Sequence, residues 1–207
     1  MLLFLVIAPV IGAALILFIE KSNKDFVLNL SLFWSLAVFN WALYLVLLFD
    51  PTNTQFQFVE EISWLTFSGI SVVFGLDGLS LFMIVLTSFL IPVCIMLSRN
   101  ASVSARAKEF NVSFLVLESI LFGVFATLDL MLFYFLFEAV LIPMYLLLGV
   151  CGSRERKIRA AYLLFLYTLV SSFFMFVSIL QLYFIFGTTD YQLLKTFHLS
   201  LNTERFC

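Results

Sequence analysis

The sequence predicts an all-α integral membrane protein with about six transmembrane helices, and three features of it carry that expectation. Hydrophobic residues fill 63% of the 207 positions and charged residues only 12%, with 27 phenylalanines among them, more apolar surface than a soluble core of this size has use for. The apolar residues are gathered into repeated runs of about 18 or more, the length that crosses a bilayer. Most of the charged residues lie between those runs, with the basic ones gathered on one side.

The opening MLLFLVIAPVIGAALILF lacks the basic start of a signal peptide and is followed by similar runs, so Leu2 to Ile19 reads as a first span and not as a leader. No stretch rich in arginine and serine marks a transit peptide, which suits synthesis beside the chain's own membrane in a bacterium or an organelle. Val27 to Phe49 is the second span. The outer loop 51–78 follows, where QFQFV (55–59) and ISVVFG (70–75) flank Ser68 and Gly69, the pattern of a strand pair lying on the surface. Leu79 to Leu97 is the third span, preceded in GLDGLS by Asp77, whose carboxylate suits the free amides of a helix start. Asn111 to Leu128 and Leu130 to Val150 are the fourth and fifth, joined so tightly at Asp129 that they must be an antiparallel hairpin. Asp129 is then a helix cap or an acid at the outer mouth. Ala160 to Phe186, the sixth, is longer than a bilayer requires and must tilt or protrude. These spans make residues 1–186 one membrane domain, and 187–207 a polar carboxy-terminal tail.

Nine of the 11 basic residues fall in alternate loops: Lys21 and Lys24, then Arg99, Arg106 and Lys108, then Arg154, Arg156, Lys157 and Arg159. Loops rich in Lys and Arg stay on the side of synthesis, so they define an inner face and place both termini outside. Asp50, Glu60, Glu61, Asp77 and Asp190 lie on the outer face. A net charge of -2 offers no basic field for nucleic acid. Cys94, Cys151 and Cys207 show no metal-binding spacing, and His198 has no cysteine or acid at ligand distance in sequence. No glycine-rich phosphate loop or nucleophile and base pair marks a site for NADH, flavin or an iron-sulfur cluster.

Two acids lie within spans. Glu138, in FLFEAVLIP, is the ninth residue of the fifth span, about 12 Å from its outer end and so near the bilayer middle. A charged acid there costs roughly 2.5 to 3.5 kcal/mol, so it is either a packing carboxyl kept neutral by desolvation or a proton carrier. Pro143 removes a backbone donor one turn on and frees the carbonyl of Ala139, which can hold water or mark a packing kink. Glu118 lies 11 residues before Asp129 where Glu138 lies nine after, so the two share a depth of about 14 to 16 Å. Glu118 is a packed carboxyl or, where the helix faces agree, a relay to Glu138.

The string LDLMLFYFLFEAVLIPMYLLLGVCGSRERKIRAAYLLFLYTL (128–169) resembles the subunit 4 family of mitochondrial NADH:ubiquinone oxidoreductase, respiratory complex I, most strongly its plant and protist members. The resemblance extends to FQFVEEISWL (56–65), GLDGLSLF (75–82) and GTTDYQLL (187–194), in one register along nearly the whole chain. It implies the amino-terminal part of an antiporter-like subunit in the mitochondrial inner membrane, a non-redox component of a proton-translocating enzyme. NADH, FMN, iron-sulfur clusters and ubiquinone would be bound by other subunits. In that family the glutamate of the fifth helix, matched here by Glu138, belongs to the proton-translocation machinery and is partnered by lysines on a broken seventh helix and beyond. Those helices lie past this sequence, and Lys195 is no substitute, so the resemblance implies a second chain that carries them. A cation/proton antiporter subunit is the alternative, since it shares the framework, and a structural remnant that holds its neighbours without moving protons is another.

The charge pattern predicts the outcome of cysteine labelling in sealed membranes. Ser153→Cys should react only from the inner, matrix side and Thr54→Cys only from the intermembrane side; reaction of both from one face would contradict the six-span topology.

Overall fold

The computed structural model describes residues 1–19, 24–53, 55–65, 70–98, 107–151 and 157–195. Six long helices are present, α1 (Leu2–Phe18), α2 (Lys24–Leu48), α3 (Gly78–Ser98), α4 (Ala107–Ala126), α5 (Leu130–Cys151) and α6 (Lys157–Phe186), followed by the single turn α7 (Tyr191–Leu194). Between α2 and α3 the antiparallel strands β1 (Gln57–Leu65) and β2 (Ile70–Leu76) form the expected surface pair. Helices α2 to α6 have the length and composition to cross a membrane, and α1 is an apolar helix of 17 residues.

Helix α4 is the axis of the bundle and packs against α1, α2, α3 and α5. Half of its spanning window is buried, against 11% for α5 and for α6. The reason is visible in its sequence, where small or polar residues (Asn111, Ser113, Ser119, Gly123, Ala126) let neighbouring helices approach. Two apolar clusters fill the interior. The outer one joins Leu2 and Leu5 of α1, Val38, Ala42 and Leu45 of α2, Leu76 of β2, Ile84 of α3 and Phe122 of α4; the inner one joins Ala13 and Ile16 of α1, Val27 of α2 and Leu115 of α4. Helices α1 and α2 meet where Gly12 lies under the Trp34 indole, so closely that an added Cβ would collide with the ring. Trp34 is held there by donating Nε1–H to the Ala8 carbonyl at 2.7 Å.

Several boundaries differ from the sequence reading, for physical reasons. Helix α4 ends at Ala126 and not Leu128 because the next residues are drawn into the sheet: Leu128 N–H donates to the Val73 carbonyl at 2.8 Å, and Thr127 bridges Phe74. Helices α2, α4 and α6 each begin three or four residues earlier, on the basic residue Lys24, beside Lys108 and on Lys157. Lys108 donates to the last carbonyls of α1, those of Leu17 and Ile19, which suits a cation at a helix carboxyl end. Residues 187–195 of the polar tail fold back onto the bundle. Gly187, at φ 70°, ends α6 by donating to the Tyr183 carbonyl at 2.8 Å, and the chain turns back onto the α4–α5 turn. His198 and the end of the chain lie outside the described residues.

The start of α1 is anchored by an acid that the sequence placed merely on the outer face. Glu60 accepts from the amides of Leu2 at 3.1 Å and Leu3 at 2.9 Å and pairs with the amino terminus of Met1. It reaches them from β1, where the four residues from Gln57 to Glu60 oppose three of β2, Phe74 to Leu76, a bulge at which Phe58 takes φ 54°. Burial raises the Glu60 carboxyl, but the hydrogen bonds from the terminus, Leu3 and Leu2 outweigh it and hold it below the usual range. A depressed folded value stabilises the protein above the ordinary glutamate pKa, and that contribution is lost as the pH falls through the lower folded one. Glu60→Ala should therefore cost about 1 kcal/mol near neutral pH, speed amide exchange at Leu2 and Leu3, and leave less acid-dependent loss to observe.

Candidate functional site

The fifth span places its acid on a seam with α6. Tyr134 stacks on Phe176 with ring centroids 4.8 Å apart. One turn inward Glu138 Oε2 accepts from the Ser172 hydroxyl at 2.7 Å. Further in, Tyr145 meets Phe165 edge to face at 6.1 Å, and Gly149 faces Ala161, whose Cβ lies 3.9 Å from where a Cβ on the glycine would be. Each step forward on α5 is matched by an equal step back on α6, so a single antiparallel register carries all four pairs. Carried outward, the same register sets Leu130 opposite Leu180, and the last six residues of α6 overrun α5 before Gly187 returns the chain. That overrun answers the excess length of the sixth helix.

Glu138 is half-buried, about 12 Å along α5 from its outer end. On the same helix Phe135, Phe137, Ile142 and Leu146 are exposed. The carboxyl thus sits on a helix whose outward faces are apolar, with a hydroxyl donor on one side. Pro143 lies inside α5, so its nitrogen cannot donate to the carbonyl of Ala139 beside the acid.

Asp129 and Asp77 take the capping roles that their positions suggested. Asp77 Oδ1 accepts from the Ser80 amide at 2.7 Å at the start of α3, and Asp129 Oδ1 accepts from the Leu132 amide at 2.9 Å at the start of α5. Asp129 does more, because its Oδ2 accepts from the Thr189 hydroxyl, and the residues around it pair as well. Leu130 N–H donates to the Thr189 carbonyl at 3.0 Å and Tyr191 N–H to the Leu128 carbonyl at 2.9 Å. The turn between α4 and α5 is thereby sewn to β2 on one side and to the chain after α6 on the other. Asp129 and Asp77, with Ser80, Phe56 and Tyr191, line a cleft of about 280 Å³ at this outer surface.

Glu118 is 0% exposed, and neither of its carboxyl oxygens has a hydrogen-bond partner among the described residues. Its helical phase is informative. Ser119 donates to the Val6 carbonyl of α1, and Gly123 lies against Leu136 of α5. Five residues separate Glu118 from Gly123, which at 100° per residue turns it about 140° away from the α5 side. The two acids share a depth, as the hairpin requires, but Glu118 turns away from α5, and with Ser119 against α1 the remaining neighbours of α4 are α2 and α3. Ser172 and Thr189 are the polar partners that sequence reasoning missed. Ser172 is one of several hydroxyls in the sixth span, beside Ser171 and near Thr168 and Ser178, and only the register of the α5–α6 hairpin could have matched it to Glu138.

Comparison with known proteins gives this arrangement a context. The family model described as NADH:quinone oxidoreductase/Mrp antiporter, transmembrane, matches residues 127–206. NADH-ubiquinone oxidoreductase chain 4 of Arabidopsis thaliana is 44% identical over 202 residues, 98% of this chain and 41% of that protein. The protein of the same name from Marchantia polymorpha is 45% identical over 192 residues, 93% of this chain and 39% of the relative. Over nearly its whole length the chain is similar to chain 4 of NADH-ubiquinone oxidoreductase. It spans about two fifths of the length of these curated relatives. Among solved structures, respiratory complex I from Thermus thermophilus with bound NADH has a chain that superposes with a TM-score of 0.84 at 28% identity, covering 100% of this chain and 41% of that one. The fold is therefore that of an antiporter-like membrane subunit, and the likeness includes α1 to α4, which the family model leaves unmatched.

Proposed function

We propose that this chain is the amino-terminal, membrane-arm portion of subunit 4 of a proton-pumping NADH:ubiquinone oxidoreductase, and that Glu138 carries protons in it. The observation that bears most weight is a half-buried carboxyl at mid-membrane depth, held by one hydroxyl donor and otherwise surrounded by apolar helix surface. A carboxylate facing lipid is costly, so this face requires a covering partner with polar groups. The Ser172 hydroxyl holds the carboxyl in place on the α5–α6 seam, and an ionisable side chain at that depth is the kind of group that marks an ion path. The names of the relatives and the superposition on complex I supply the enzyme. In this reading the chain is a non-redox subunit of the mitochondrial inner membrane, with its amino terminus on the intermembrane side. NADH, FMN, iron-sulfur clusters and ubiquinone are bound by other subunits.

The partner that covers Glu138 is, in this proposal, a set of further subunit helices, the first of which places a lysine within reach of the carboxyl directly or through water. The sparse burial of α5 and α6 supports it, because α4, with neighbours on every side, is buried several times more fully. Other membrane-arm subunits and lipid cover the remaining surface. A cation/proton antiporter subunit is the second reading, favoured by the family description that joins the two groups. Glu118 has no step assigned to it here, since its phase turns it away from α5.

Glu138→Gln keeps size and loses the ionisable proton. The assembled enzyme should lose about tenfold or more in proton-coupled turnover, equivalent to at least about 1.4 kcal/mol on the limiting step. Ser172→Ala should have a smaller effect in the same direction. An unchanged rate and proton stoichiometry in Glu138→Gln would leave the carboxyl a packing group and favour the structural remnant. A structure of the assembled complex should also show the lysine-bearing helix against spans four to six; lipid or unrelated helices beside Glu138 would refute the partner.

A further inference from the structure

One face of α4 carries polar groups that the α5–α6 seam does not use. Asn111, Leu115, Glu118 and Phe122 follow at spacings of four, three and four residues, and all are 0% exposed. Phe122 belongs to the outer apolar cluster and Leu115 to the inner one, so Glu118 occupies the layer between them. The helices on that side each contribute a serine to the same layer. Ser35 lies three residues inward of Val38 on α2, and Ser88 lies four residues inward of Ile84 on α3, where Val38 and Ile84 are members of the outer cluster. Both serines are 0% exposed, and α2, α3 and α4 pack on one another. Helical rise agrees with the clusters: Ser35 and Glu118 are each 11 residues, about 16 Å, from the inner ends of their helices, and Ser88 is ten residues from either end of α3.

The hydrogen bonds within this layer are incomplete. Ser35 donates to the Leu32 carbonyl at 3.0 Å and Ser88 to the Val85 carbonyl at 2.9 Å, so each hydroxyl has spent its proton on its own helix and keeps only acceptor capacity. Both oxygens of Glu118, and both Oδ1 and Nδ2 of Asn111, lack a partner among the described residues. A hydrocarbon layer offers no solvent to satisfy them. Buried polar groups without a protein partner are held by ordered water where two to four such groups converge.

We infer that Ser35, Ser88 and Glu118 form a water-binding layer at the middle of the membrane, reached from the inner side past Asn111. Water is the one ligand whose chemistry matches all the groups: it donates to the serine oxygens, and it accepts from the O–H of a neutral carboxyl while donating to its carbonyl oxygen. Asn111 lies seven residues inward of Glu118 on the same stripe, about 10 Å away, and four residues from the start of α4. Its amide offers a donor and an acceptor about 6 Å from the inner helix end, a step between the layer and the aqueous side. The Glu118 proton is thereby exchangeable from the inner side although its side chain is wholly enclosed. The layer faces α2 and α3, so it is distinct from the Glu138 seam and stands whether or not Glu138 moves protons.

Infrared difference spectroscopy of the assembled complex in membranes tests this. A neutral-carboxyl band that disappears in Glu118→Gln should shift on transfer to D2O. In Asn111→Leu that shift should be about tenfold slower, the effect of adding about 1.4 kcal/mol to the barrier for exchange. Where Asn111→Leu fails to assemble, Ser88→Ala removes one acceptor with little change of volume and should move the frequency of the same band. A band that never exchanges, an exchange rate unaltered by Asn111→Leu, or a frequency unmoved by Ser88→Ala would overturn the inference. So would a map of the complex in which Glu118 bonds directly to Ser35 and Ser88 with no water between them.

Discussion

A polar group within the hydrocarbon layer must find its partner inside the protein, and the architecture of this chain is arranged around that constraint. The apolar residues alone would be content in almost any packing, because lipid tails are as apolar as leucine and give helices little reason to associate in one register. Specificity comes from the few groups that lipid cannot satisfy. Ser172 fixes α6 against Glu138, Trp34 fixes α2 against the Ala8 carbonyl, Ser119 fixes α4 against the Val6 carbonyl, and Lys108 ties the end of α1 to the start of α4. Each joins two helices at one depth, so a handful of bonds sets the relative height of the bundle.

The outer surface solves the same problem by a different route. The ends of α4 and α6 and the start of α5 all expose backbone groups there, and a two-stranded sheet has edges of its own. The protein satisfies these groups against one another. Leu128 donates to β2, Tyr191 donates to Leu128, Leu130 donates to Thr189, and Asp129 caps α5 while accepting from Thr189. Glu60 does for α1 what Asp129 does for α5, from a strand distant in sequence. The sheet is therefore part of the mechanism that holds the helix ends at fixed height, and the α5–α6 seam inherits its position from that outer anchorage.

What could be read from the sequence divides along the same line. Periodic features of one segment, such as the six apolar runs, the strand pair around Ser68 and Gly69, and the capping acids Asp77 and Asp129, are local consequences of composition and were legible. Glu138 was legible as an anomaly, because a carboxyl among phenylalanine and leucine has few explanations. Its partner was not, since Ser172 lies 34 residues away in an equally apolar run and becomes a partner only through the antiparallel register. Glu60 read as one of several outer acids, and its capping of α1 depends on a bulge in β1 that no spacing announces. The facing of Glu118 was illegible for a plainer reason: a helix buried on most sides shows no single apolar face from which to judge phase.

The two membrane carboxyls show how phase divides roles within one hairpin. They lie at one depth on adjacent helices, and depth alone would make them a relay. Glu138 lies on the α5–α6 seam, where it accepts from Ser172 beside the exposed apolar side chains of α5. Glu118 lies on the other side of α4, wholly buried between the two apolar clusters. With α4, the most deeply buried of the spanning helices, between them, the edge carboxyl is held by a hydroxyl of α6 while the enclosed one is a polar group in the core of the bundle.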